Sequence, residues 1–221
     1  MKKLITHFSQ LLSPSRLGTF EKVLAKRTRY ITVVLEDIYQ SQNASAVLRS
    51  CDCLGMQDIH VIENRNKFDV DPEVVMGSFK WLNLHRYNKE EYNTISAIEK
   101  LRADGYRIIA TSPHTDDKNL DDIDLGEGKM ALLFGTELTG LSDNALAMAD
   151  EYLKIPIVGF TESFNISVSA AIILYQLSQK LRSSDIHWEL EEQEADALML
   201  EWLRKSIKKS ELIENAFNKK K

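Results

Sequence analysis

The chain of 221 residues holds only two cysteines, Cys51 and Cys53, and both sit in a single C-x-C step. No histidine stands beside them at ligand spacing, so the pair offers neither a zinc site nor a bridge between separate elements. Reduced structural thiols are expected. Long apolar runs are missing as well: stretches such as Ala170 to Tyr175 fall far short of the roughly 18 to 20 residues that cross a bilayer, which argues against a transmembrane helix. Lys2 and Lys3 open the chain, but His7, Ser9 and Gln10 follow where a secretory leader would carry its apolar core. A cytoplasmic protein is expected. There is no internal repeat and no long Pro/Gly/Ser linker. The five histidines, His7, His60, His85, His114 and His187, show no ligand spacing, so no metal is expected.

What is present describes a folded chain. Apolar residues make up 43% and charged residues 28%, which is too apolar for disorder. On a prior of about 150 residues per domain, the length lies between one large domain and two small ones, enough to bury a core unaided. The net charge of −5 argues against an anionic partner until its distribution is read. Met1 to Tyr30 carries seven Lys/Arg against one acid, and Arg204 to Lys221 carries seven against two. The middle, with 14 Lys/Arg and 30 Asp/Glu, is strongly acidic. The two basic ends read either as solvated helix faces with a lysine tail or as two arms around an anionic polymer.

Pro14 and Ser15 open a helical stretch to about Arg27, with Leu17, Phe20 and Leu24 on one stripe. Strand-like runs follow at Ile31 to Glu36, Asp58 to Ile62, Tyr106 to Thr111, Met130 to Phe134 and Tyr152 to Ile155. Helical patterns alternate with them at Ala44 to Leu54, Glu90 to Ala103, Asp143 to Ala149 and Ile166 to Leu181. The alternation implies an α/β fold, a mostly parallel sheet covered by helices on both faces. Trp188 to Lys209 reads as one more helix, its glutamates early and its Arg204, Lys205, Lys208 and Lys209 late, as the helix dipole favours.

Three segments carry chemistry. The first, Gln42 to Ser50, follows the first strand; Asn43 stands where a helix N-cap belongs, and Arg49 is a cation in a helix rich in Ala, Val and Leu. Arg49 either makes a surface salt bridge or faces an anion such as a phosphate, which its planar fork would grip in two-pronged fashion. The second, Leu132 to Ser142, is a buried strand ending in a loop framed by Gly135 and Gly140. Leu141 and Ser142 replace the Lys and Ser/Thr of a phosphate-binding P-loop, and no G-x-G-x-x-G fingerprint is present. What remains is a strand end where backbone can approach a ligand closely. The third, Ile155 to Ser169, runs from a strand end through a polar loop into an apolar helix, with Ser163 or Asn165 as its natural cap.

In this order and spacing the three segments resemble the motifs of the SPOUT superfamily of RNA methyltransferases, and specifically its TrmH family of ribose 2′-O-methyltransferases. The resemblance covers about Leu12 to Leu181, including the lead-in Leu17 to Asp37 and the stretch Met76 to Leu82, and extends more loosely beyond. It implies S-adenosylmethionine as cofactor, tRNA as partner, a homodimer, and a deep trefoil knot at about 130–182. The implied division is a basic helical extension at 1–29, a methyltransferase domain at 30–182 and a helical extension at 183–221. The family's catalytic arginine and asparagine fall on Arg49 and Asn43, its second-motif glutamate on Glu137, and its third-motif serine and asparagine on Ser163 and Asn165. The implied cofactor positions are Phe134, Gly135, Thr136, Glu137, Gly140, Ile155, Ile157, Phe164, Asn165 and Ser167. Phe164 departs from the usual Leu, and the C-terminal segment is shorter than in some relatives.

The implied activity is methylation of a tRNA guanosine, the D-loop nucleotide conventionally numbered 18. Competing readings are a ribosomal-RNA ribose methyltransferase of the same superfamily and a non-catalytic knotted RNA-binding dimer. The short basic N-terminal segment disfavours the first, and the five motif residues disfavour the second. Phosphate binding is expected from Arg16, Lys22, Lys26, Arg27, Arg29, Lys180 and Arg182, and from Arg204, Lys205, Lys208 and Lys209.

Overall fold

A computed structural model describes residues 1–75, 77–112 and 117–219. Met76, His114 and Lys221, named above, lie outside the described residues. In chain order the elements are α1 (Lys2–Ser9), α2 (Pro14–Leu24), β1 (Ile31–Glu36), α3 (Ser41–Leu54), β2 (Asp58–Ile62), α4 (Pro72–Val75), β3 (Asn83–Tyr87) and α5 (Thr94–Ala103). They continue with β4 (Arg107–Thr111), β5 (Lys118–Asn119), β6 (Met130–Phe134), α6 (Asp143–Ala147), β7 (Glu151–Lys154), α7 (Ile166–Arg182), α8 (Glu192–Ser206) and α9 (Ser210–Lys219). The chain divides into two compact units, Arg29–Trp188 and the two ends Met1–Thr28 with Glu189–Lys221. The two terminal extensions, expected as separate appendages, therefore form one unit together.

The larger unit is an α/β fold around a seven-stranded sheet in the order β3-β2-β1-β6-β4-β7-β5, with every pairing parallel. Alternation within β1 explains why both sheet faces are covered. Ile31, Val33 and Leu35 join the α3 and α7 residues Val47, Leu48, Ile173 and Leu177 in one buried cluster. Val34 joins Ile98, Leu101 and Ala145 of α5 and α6 in the other. Strands buried on both faces are apolar along most of their length, which is why β1 and β6 read so plainly as apolar runs and β2 does so around its Asp58 and His60. Because the strands are parallel, the loops after β1, β2, β6 and β7 all leave from the same edge of the sheet.

The unit built from the chain ends is helical. α1 and α2 pack on α8, where Phe20 meets Trp202 edge to face at 5.8 Å between ring centroids, and Thr28 bridges Glu189 in antiparallel fashion. α8 ends at Ser206, not at Lys209, and Trp188 belongs to the sheet unit, where it packs against the core.

Candidate active site

β6 carries Phe134 to the loop edge fully buried, and the chain then turns back on itself. Thr136 N–H donates to the Gly140 carbonyl at 2.9 Å and Gly140 N–H to the Thr136 carbonyl at 3.0 Å, closing a small lasso. A Cβ built on Gly135 would collide with the Gly140 backbone, and Gly140 has φ +68°, so both framing glycines are required by geometry. The lasso forms one wall of a cavity of about 370 Å3, within the range of small-molecule sites. Phe134, Gly135, Thr136, Glu137, Gly140, Ile155, Ile157 and Phe164, all expected cofactor positions, line it, and so does Ser163. Asn165 and Ser167 do not. Thr111, Ser112, Leu141, Leu153, Ile166 and Ile173 line it without having been expected; the ends of β4 and β7 were the available signal, since neighbouring parallel strands end at the same edge.

Three side chains from three distant segments meet beside this cavity. Asn43, 8% exposed in the first turn of α3, donates through Nδ2 to Glu137 in the lasso and to Gln40 Oε1 at 2.9 Å. Its Oδ1 accepts from Asn165 Nδ2 at 3.1 Å. Asn165 also caps α7, accepting from Ser167 N–H at 2.9 Å and from the Ser167 hydroxyl at 2.6 Å. Asn43 is not the cap of α3: Gln40 precedes the helix, and the Asn43 amide is spent on the lasso and on α7 instead. The network ties the ends of β1, β6 and the α7 segment together at one place.

The sequence matches the model of the SpoU rRNA Methylase family over residues 30–175. The chain belongs to this family. Among SpoU-family relatives it is 46% identical over 216 residues to a tRNA (guanosine(18)-2'-O)-methyltransferase of Borreliella burgdorferi, an alignment covering 98% of this chain and 97% of that one. The crystal structure of an A. aeolicus TrmH/SpoU tRNA modifying enzyme superposes with a TM-score of 0.78 at 25% identity, covering 88% of this chain and 98% of that one. The SpoU methyltransferase AviRb from Streptomyces viridochromogenes, solved in complex with AdoMet, superposes at 0.61 with 26% identity, covering 74% of this chain and 62% of that one.

Within this SpoU fold, Arg49 stands on the exposed side of its otherwise apolar helix. α3 buries Ala44, Val47, Leu48 and Cys51, while Arg49 is exposed and makes no hydrogen bond or ion pair among the described residues. The basic residues divide by accessibility. Arg16, Lys22 and Lys26 are exposed on or just beyond α2, and Lys208 and Lys209 are exposed after α8. Arg27 does not fit the phosphate-binding role expected of it, being 2% exposed with its guanidinium 5.5 Å from the Trp202 ring centre. Arg29, Lys180 and Arg182 are engaged in holding the sheet unit. Arg29 Nε donates to Asp58 Oδ2 at 2.6 Å, Lys180 Nζ to the carbonyls of Asp121 and Ile123 at 2.9 and 2.5 Å, and Arg182 Nη2 to the Leu54 carbonyl at 2.8 Å. Arg204 forms a two-pronged pair with Glu214 and Lys205 an ion pair with Glu201.

Proposed function

We propose that the protein transfers a methyl group from S-adenosylmethionine to the ribose 2′-hydroxyl of a tRNA guanosine, the D-loop nucleotide at position 18. The observation that carries this reading is the joining of Asn43, Glu137 and Asn165 beside a strand-end cavity. The choice of tRNA rests on the Borreliella burgdorferi relative, whose alignment runs nearly the full length of both chains. The cavity fits the cofactor. Ile155, Ile157 and Ile173 give it an apolar side for a flat base, and Gly135 and Thr136 bring backbone to its wall.

When bound, the cofactor supplies a methyl group on a positively charged sulfur. In-line displacement requires oxygen, carbon and sulfur in a row, and the chain's task is to fix that line. Asn43, Glu137 and Asn165 hold the cavity's loops in register, and Ser163 stands on its wall. The planar guanidinium of Arg49 serves as an anion holder for a substrate phosphate and for the ribose oxygen as charge develops there.

The same reading includes a homodimer and a knot through the 130–182 segment. Tyr175 and Val168 on α7 are 60% and 43% exposed, apolar surface that a second copy would cover. Sedimentation at micromolar concentration should give a dimer; a fully active monomer would overturn it. The place of action proposed is the cytoplasm, where tRNA is found. A ribosomal-RNA target is the competing reading within the family. Incubation with labelled S-adenosylmethionine and, separately, total tRNA and ribosomal RNA, followed by mapping of the labelled nucleotide, decides between them. Ribose label on the D-loop guanosine is expected, and label confined to ribosomal RNA would sink the tRNA reading.

A further inference from the structure

The loop edge carries a second cavity, of about 740 Å3, that shares the lasso residues Thr136–Leu141 with the first. Its remaining walls come from the ends of β1 and β2 and the starts of α5 and α6. Three side chains on those walls have nothing to do in the protein alone. Tyr39 and Tyr92 are 77% and 65% exposed, and neither makes a hydrogen bond or ring contact among the described residues. The Arg65 guanidinium is exposed, also without an ion pair among the described residues.

The backbone beneath them is fixed. Asp37 sits at φ 54°, an uncommon conformation for a residue with a side chain. Its Oδ1 accepts the N–H groups of Asn64, Arg65 and Asn66 at 2.7, 2.8 and 3.3 Å, which stitches the loop bearing Arg65 to the loop bearing Tyr39. Buried Glu36 accepts from Thr94 Oγ1 at 2.5 Å, Ser142 N–H at 2.8 Å and the Ser142 hydroxyl at 2.8 Å, holding the Tyr92 side of the cavity to the lasso. Two uncommitted aromatic rings and an arginine around one preorganised polar cavity are the chemistry of an unstacked nucleobase and its phosphate.

We propose that this second cavity receives a nucleobase of the RNA substrate, its face against Tyr39 and Tyr92 and its adjoining phosphate on Arg65. The proposal rests on the reading of the protein as an RNA methyltransferase. It makes the lasso a shared wall, with cofactor on one side and RNA on the other.

Filter binding of tRNA to the intact protein tests it, with S-adenosylmethionine titration of every variant as the check on folding. Tyr39→Ala and Tyr92→Ala should each raise the tRNA Kd about fivefold or more, as loss of a stacked base does, while leaving cofactor affinity unchanged. Tyr39→Phe and Tyr92→Phe keep the ring and should stay within about twofold of wild type on the same stacking argument. Arg65→Ala should weaken binding and lower the magnitude of the salt slope by about 0.7 to 0.9. Wild-type tRNA affinity in the Tyr39→Ala/Tyr92→Ala double variant would overturn the proposal, as would Phe variants that lose as much as the Ala variants. If the wild-type protein methylates no RNA, the functional reading falls, while the tRNA affinities still decide what this cavity holds.

Discussion

Arg49 stands six residues after Asn43 on α3, so one helix carries both a member of the buried network and an exposed, uncommitted cation. Arg49→Ala should nearly abolish methyl transfer in single-turnover assays while leaving cofactor affinity within about threefold, because its proposed partner is the RNA and not the cofactor. A large loss of cofactor binding with unchanged chemistry would place the residue elsewhere. His60 makes a different kind of prediction. Burial, with His85 stacked on it at 4.6 Å, pushes its imidazole down to about 4, and its Nδ1 lies 3.0 Å from the Tyr87 hydroxyl. Below its ordinary value of 6.5 the unfolded chain takes up a proton that the folded ring refuses. Stability should thus be full above about pH 6.5 and fall toward pH 4 by up to about 1.4 kcal/mol per unit. Burial works against the Asp58 carboxylate, but the His85 hydrogen bond and the Arg29 guanidinium outweigh it and hold its pKa low, so its contribution is lost in the same direction at lower pH. Thermal unfolding at pH 7, 5.5 and 4.5 should show a flatter profile for His60→Gln than for wild type; identical profiles would refute the assignment.

Among the elements, what could be read from sequence follows from burial. β1, β2 and β6 are covered on both faces and carry apolar runs whose ends match the structure. β3 is an edge strand with polar Asn83, His85 and Arg86, and β5 has two residues, so neither leaves a hydrophobic pattern. α1 and α9 carry amphipathic spacing, Leu4 with Phe8 and Ile213 with Phe217, but each is under three turns, too short for the pattern to stand out; α9 buries no residue, and α1 only Leu4 and Phe8. The site divides in the same way. Gly135, Gly140 and the strand-end loop are legible locally. The bonds from Asn43 to Glu137 and to Asn165 span 94 and 122 positions, and no spacing rule reaches that far; only the family resemblance brings these residues together. The lasso yields the prediction at this scale. Gly135→Ala must push the Gly140 backbone away, which breaks the Thr136–Gly140 pair and distorts the cavity wall. A cost of about 1 to 3 kcal/mol is expected, read as lower urea resistance together with at least tenfold weaker cofactor binding by calorimetry. Near-wild-type affinity would show that the lasso can open without consequence.

At the scale of the whole molecule, net charge conceals a division of labour. The acidic middle of the chain repels an anionic polymer, so most of the sequence-independent attraction for RNA should come from the exposed cations at its ends, with Arg49 and Arg65 acting locally. Composition marks those ends as basic but cannot say which cations are spent inside the protein. Arg27 lies over Trp202 in the core of the helical unit, and Arg204 and Lys205 are engaged by glutamates, whereas Lys22, Lys208 and Lys209 face solvent. These two classes should behave differently. Neutralising Lys22, Lys208 and Lys209 together should weaken tRNA binding and reduce the magnitude of the salt slope by about 0.7 to 0.9 for each phosphate that no longer meets a cation, with the melting temperature and cofactor affinity nearly unchanged. Arg27→Ala should do the reverse, lowering the melting temperature through poorer packing on Trp202 while the salt slope stays at its wild-type value. Filter binding across a salt series, paired with thermal melts, separates the two. A slope untouched by the three neutralisations would return the basic ends to the role of solvated helix faces, and a slope that falls with Arg27→Ala would mean that its guanidinium reaches the RNA after all.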